Sequence, residues 1–269
     1  MDEMEKKNKI SSIFAIVGAV LGIVLNFVFF MIWYKPLIAA QAIKCGAGCV
    51  MVITYFLPAF TDIGILSGVL YTLSAIGFFK NEKWAYPTAV VANVLALWTS
   101  FWPMIPLMDT GLPPVYVFIF LPNIILYFLI NLYTGKKNWG RIIVGLLTGM
   151  VFIMAFINGT ASTNIMYVKS LNNLDNSLYV ISERLFWLSA FGYGLITIAI
   201  MLFPKEWVRM LGIGCAIIVM LFGFPMGYIT TIAKGEFSMY LGAPILSAVL
   251  IFIFAIPILW KKIIQPEEK

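Results

Sequence analysis

Long uncharged apolar runs constrain this chain more than any other feature. From Ser11 to Tyr34 no charged residue occurs in 24 positions. A helix needs only about 20 apolar residues to cross a hydrocarbon core about 30 Å thick. With that first span taken as 11–33, seven further stretches meet the same test approximately: 62–79, 84–107, 114–133, 141–160, 184–203, 207–231 and 239–260. Lipid offers the backbone no hydrogen-bond partners, so each run must be helical, and none shows the period-2 alternation of barrel strands. The expected fold is all-α, a polytopic transmembrane bundle of about eight spans. Composition agrees: 62% of residues are hydrophobic and 11% charged, against about a quarter charged in soluble domains.

The basic residues orient the bundle. Lys6, Lys7, Lys9, Lys80, Lys83, Lys136, Lys137, Arg141, Lys205, Arg209, Lys261, Lys262 and Lys269 fall on one side of the alternating connections. Lys35, Lys44, Lys169, Arg184 and Lys234 fall on the other, a split of 13 to 5. The positive-inside rule then puts both termini in the cytoplasm. Trp33, Tyr34, Trp84, Tyr133, Trp187, Trp207, Tyr228 and Trp260 sit near predicted helix ends, where amphipathic rings favour the interface. The first helix reads as a retained signal anchor, because its apolar run is longer than a cleavable h-region and ends in no small-residue cleavage site. The net charge of +6 is dispersed in these short clusters rather than along a polar face. It therefore points to anionic lipid headgroups and not to nucleic acid. The expected location is the cell (plasma) membrane.

Segment 37–60 is apolar enough for a ninth span. Lys44, the neighbouring glycines and the parity of the basic connections argue instead for an outer-leaflet helix or a re-entrant segment.

The second half of the chain resembles the first. FWPM at 101–104 matches GFPM at 223–226, aligning Pro103 with Pro225 at an offset of 225 − 103 = 122. The same offset aligns Pro122 with Pro244, and a short basic turn precedes both Trp84 and Trp207. These matches predict two parallel four-helix repeats. The first is 1–138 with external segment 34–61, and the second is 139–269 with external segment 159–183.

Chemistry is narrowed mainly by what is missing. There is no histidine, which removes the usual zinc and haem ligands and Ser-His-Asp catalysis. No Walker A or GxGxxG motif is present. No metal, cofactor or catalytic residue is assigned; whether the chain is an enzyme stays open, with the residues leaning against it. The binding candidates are Asn26, Asn93 and Asn123, amides deep in predicted spans that need partners from neighbouring helices or from a ligand. Asp62 is the one carboxylate expected at depth; an intramembrane acid is a functional candidate, while its place at the start of the second helix suits an N-cap. Pro103, Pro122, Pro225 and Pro244 are candidates for helix breaks, which line substrate sites in some transporters and are structural elsewhere. Cys45 and Cys49 form a candidate redox pair on the outer side, although CxxxC spacing along a continuous helix gives poor disulfide geometry. Cys215 reads as a small apolar packer. Asn158-Gly-Thr160 is a glycosylation sequon at an outer helix end.

Three functions fit these residues. The chain transports or binds a small neutral or lipid-like molecule between its two repeats. Alternatively, it is a non-catalytic anchor or assembly subunit with a membrane protein partner. A third reading is a lipid- or quinone-linked redox enzyme. Membrane lipids are partners in all three.

Overall fold

The structure, a computed structural model, describes residues 3–134, 138–168, 176–235 and 237–265. Every element among them is helical. Six helices are long and apolar enough to cross a membrane, a seventh candidate is a bent pair, and Val117–Tyr133 is a shorter apolar helix of 17 residues. Their length and composition are those of a multi-pass helical membrane protein. The chain divides into two compact units, Met1–Lys137 and Asn138–Lys269.

The first unit opens with α1 (Glu3–Val20), one π-helical turn (Leu21–Leu25) and α2 (Asn26–Cys45). Together they give one apolar span of 39 residues, roughly 58 Å at 1.5 Å per residue. α3 (Ala47–Phe79) returns antiparallel after a single-residue break at Gly46, whose φ of 81° is open to glycine without strain. Segment 37–60 is therefore not a separate outer-leaflet or re-entrant element. It is divided between the end of α2 and the start of α3. Lys44 and the glycines do not break a span here, because Gly46 alone suffices to reverse the chain.

Glycines also set how closely this hairpin packs. Gly18-xxx-Gly22 faces Gly64-xxx-Gly68: a Cβ at Gly22 would lie 2.6 Å from the Gly68 Cα, and one at Gly18 would lie 2.7 Å from the Tyr71 ring. Small-xxx-small spacing lets two helix backbones approach in this way. A tight turn at Asn81 (φ 57°), where Asn8 Nδ2 donates to Asn81 Oδ1 at 2.8 Å, leads to α4 (Ala85–Phe101). α4 is the most enclosed long helix of the unit. Pro103 stands at a real break, between α4 and the short α5 (Met104–Asp109). α6 (Val117–Tyr133) completes the unit, with Pro122 inside it. Near the α2–α3 turn Lys44 Nζ pairs with the Asp109 carboxylate at 2.6 Å.

The second unit comprises α7 (Trp139–Val168), α8 (Asn176–Leu202), α9 (Glu206–Lys234), a 3-10 turn (Met239–Leu241), α10 (Gly242–Ala255) and α11 (Pro257–Ile264). α10 and α11 meet at a 95° bend. Pro225 lies inside an unbroken α9, and Pro244 lies in the first turn of α10. Of the four proline candidates, only Pro103 interrupts a helix. Residues 159–168 of the expected external segment 159–183 continue α7, and residues 176–183 begin α8; residues 169–175 lie outside the described residues. Asn158 is 2% exposed and its Nδ2 donates to the Tyr240 carbonyl at 3.2 Å, so the sequon is built into the fold rather than displayed.

Candidate functional site

Two of the three candidate amides meet in the middle of the first unit. Asn93 on α4 donates from Nδ2 to the Tyr71 hydroxyl at 2.6 Å and to the Asn123 carbonyl at 2.9 Å. The Tyr71 hydroxyl on α3 donates to Asn123 Oδ1 on α6 at 3.3 Å. Asn123 Nδ2 returns to the Ile119 carbonyl of its own helix at 2.9 Å. All three side chains are buried, and together they tie α3, α4 and α6. A second tie joins Tyr86 to Asn131, hydroxyl to Oδ1, at 2.9 Å. One acceptor is left over: Asn93 Oδ1 is buried with no hydrogen-bond partner.

Asn26 takes no part in this cluster. It is the first residue of α2, directly after the π-helical turn, and its Nδ2 donates to the Gly22 carbonyl at 3.1 Å. The opposing residue is Gly64, where a Cβ would sit 2.7 Å from Asn26 Nδ2. One helical turn before Gly64 stands Thr61, and one turn beyond Asn26 stands Phe29. Both address Tyr116, the residue that precedes α6. The Phe29 ring meets the Tyr116 ring edge-on at 5.7 Å. The Thr61 hydroxyl gives its proton to the Leu57 carbonyl at 2.9 Å, and its oxygen faces the Tyr116 hydroxyl as an acceptor. Asn26 and Tyr116 are each 1% exposed; Asn26 Oδ1 lacks a hydrogen-bond partner, and the Tyr116 hydroxyl has none within normal hydrogen-bond distance. Asn26 Oδ1 is thus an acceptor without a partner, at a cost of about 1–3 kcal/mol, and the Tyr116 hydroxyl has only Thr61 facing it. The π-helical turn beside them is a feature found frequently at functional sites.

The other candidates take no part in either cluster. Asp62 is exposed and is the sixteenth residue of the 33-residue α3, so it cannot be an N-cap; the helix starts at Ala47 rather than at 62. Cys49 is disulfide-bonded and buried, and the side chain of Cys45 lies outside the described residues. The helix is not continuous between these two cysteines, since Gly46 interrupts it. Cys215 is buried and free. Among the described residues, no three His, Cys, Asp or Glu side chains gather as a metal-ligand set.

Sequence reasoning missed the tyrosines. Tyr71 organises the first cluster, and one signal could have found it. The offset that aligns the prolines also aligns Tyr71 with Tyr193, since 193 − 71 = 122. Tyr193 is likewise fully buried on the second helix of its unit, and its hydroxyl donates to Ser247 Oγ on the fourth at 3.0 Å. Tyr116 carried no such signal. Comparison of the chain with protein-family models, curated proteins and solved structures returned no match.

Proposed function

We propose that this chain binds a small neutral hydrogen-bonding molecule, or the polar end of a lipid-like one, inside its first four-helix unit. The observation that carries the reading is the unpaired Asn26 Oδ1 with the weakly bonded Tyr116 hydroxyl, buried in the corner made by α2, α3 and the start of α6. Neither group carries charge, so the pair suits an amide, an alcohol or a comparable neutral group that offers both a donor and an acceptor. The Tyr71–Asn93–Asn123 cluster then serves as the tie that holds the surrounding helices in register.

The same proposal takes the chain as eight spans with both termini in the cytoplasm of a plasma membrane, built from two copies of one four-helix unit. The equivalent hydroxyl bonds of Tyr71 and Tyr193 support the duplication. The difference between Pro103 at a break and Pro225 inside a helix marks where the copies diverged.

Thermal unfolding of the detergent-solubilised protein tests the binding reading. A ligand that binds only the folded state raises the midpoint with concentration. Small neutral amides or alcohols are expected to raise it more than their apolar isosteres do. That difference is expected to vanish in Asn26→Leu and in Tyr116→Phe. Equal shifts from polar and apolar members of each pair would end the reading.

A second reading, an assembly subunit, is favoured by one separate observation: Asp62 stands exposed within an apolar face of α3.

A further inference from the structure

We propose that the Asp62 face of α3 docks a transmembrane helix of another protein through a lysine or arginine on that helix. The proposal rests on the assembly-subunit reading and supplies the chemistry of the partner.

The exposed residues Tyr55, Ala59, Asp62, Leu66, Val69 and Leu73 follow one another in steps of four, three, four, three and four. Such steps keep a single seam on one side of a helix, the spacing with which helices pack side by side. The seam is apolar or small at every one of these positions except Asp62. Ala59, one turn away, leaves room for a close approach by a neighbouring backbone.

Depth follows from the hairpin register. Gly22 lies against Gly68 and Asn26 against Gly64, so facing residues of the two helices sum to 90 in this part of the hairpin. Trp33 is then level with position 57, which places Asp62 five residues inward of it, about 7 Å at 1.5 Å per residue. Trp33 and Lys35 are the kind of residues that mark the lipid–water interface. Asp62 therefore sits inside the apolar zone, where a carboxylate facing lipid is costly and intramembrane ionisable residues normally pair. Among the described residues no side chain hydrogen-bonds or ion-pairs with it.

Charge decides the occupant. A second copy seated symmetrically on the same seam would bring two Asp62 carboxylates together, and like charges at that depth repel. A helix presenting a Lys or Arg at the matching level instead neutralises the acid while its apolar side chains cover the seam.

The test uses the full chain, donor-labelled, in phosphatidylcholine/phosphatidylglycerol vesicles. The probes are acceptor-labelled single-span Leu/Ala peptides carrying one Lys, one Leu or one Glu about five residues inside the outer end. Energy transfer is expected to show the Lys peptide binding at least about tenfold more tightly than the Leu peptide. Asp62→Asn is expected to bring the Lys peptide down to the Leu level, and Asp62→Lys to transfer the preference to the Glu peptide. Equal binding of the Lys and Leu peptides to the wild-type chain would overturn the proposal. So would a preference for Lys that survives Asp62→Asn, or self-association through the seam in place of peptide binding. Native mass spectrometry from the source membranes separates the two levels of claim. A stoichiometric partner that remains bound to Asp62→Asn keeps the assembly reading and overturns the role of Asp62. A partner lost from that variant supports both.

Discussion

Removing one oxygen tests whether the Tyr71 cluster holds the first unit together. Tyr71→Phe keeps the ring packed against Gly18 and deletes two hydrogen bonds, the 2.6 Å bond from Asn93 and the 3.3 Å bond to Asn123. Interhelical hydrogen bonds in membranes average about 0.6 kcal/mol and reach about 1.7. The short bond belongs near the upper figure and the long one near or below the average, which sums to about 2 kcal/mol. Asn93 keeps its second bond, to the Asn123 carbonyl at 2.9 Å, so only one of its amide protons is orphaned. The expected loss is about 1.5–2.5 kcal/mol, measured by reversible unfolding in mixed micelles or by steric trapping. Asn93→Leu supplies the second corner of a double-mutant cycle, with a coupling of about 1 kcal/mol expected because the two side chains share a bond. A Tyr71→Phe variant within about 0.5 kcal/mol of wild type, or strictly additive single changes, would show that the cluster is not a tie.

Packing, burial and disulfide state give three further expected outcomes. Gly68→Ala forces a Cβ to within 2.7 Å of the Ile23 backbone nitrogen and is expected to cost about 1–3 kcal/mol in the same unfolding assay. Gly214→Ala, which meets nothing within 4 Å, is the matched control and is expected to be neutral or stabilising by up to about 1 kcal/mol. Asn158 donates to Tyr240 from inside α7, so the protein made in a glycosylating host is expected to migrate on a gel as it does after glycosidase treatment; a glycosidase-sensitive shift would contradict its burial. Under denaturing conditions Cys215 is expected to accept a maleimide at once, and Cys49 only after reductant, read by mass spectrometry of the labelled peptides.

The helical, membrane-spanning character was legible because apolar runs of this length have one physical solution in lipid. Asn93 and Asn123 stood out for the same reason, since an amide in such a run has to find a partner. What the runs did not carry was where a helix reverses. Hydropathy averages over about 20 residues, whereas the α2–α3 hairpin turns on Gly46 alone. Placing the start of that helix at 62 rather than at 47 also turned Asp62 into a cap, when it stands in mid-helix on an exposed face. The tyrosines were hidden by a different ambiguity. A Tyr near an apolar run suits the interface as well as the interior, and only packing against Gly18 and Asn93 decides for Tyr71. Tyr116 becomes meaningful only when Phe29 and Thr61, far away in sequence, are brought beside it.

The binding reading stands or falls on the corner between Asn26 and Tyr116. A high-resolution structure of the protein purified in its native lipids would examine it directly. Non-protein density is expected within hydrogen-bond reach, about 2.7–3.2 Å, of both Asn26 Oδ1 and the Tyr116 hydroxyl. A corner without such density, with those two atoms bonded to protein groups instead, would contradict it.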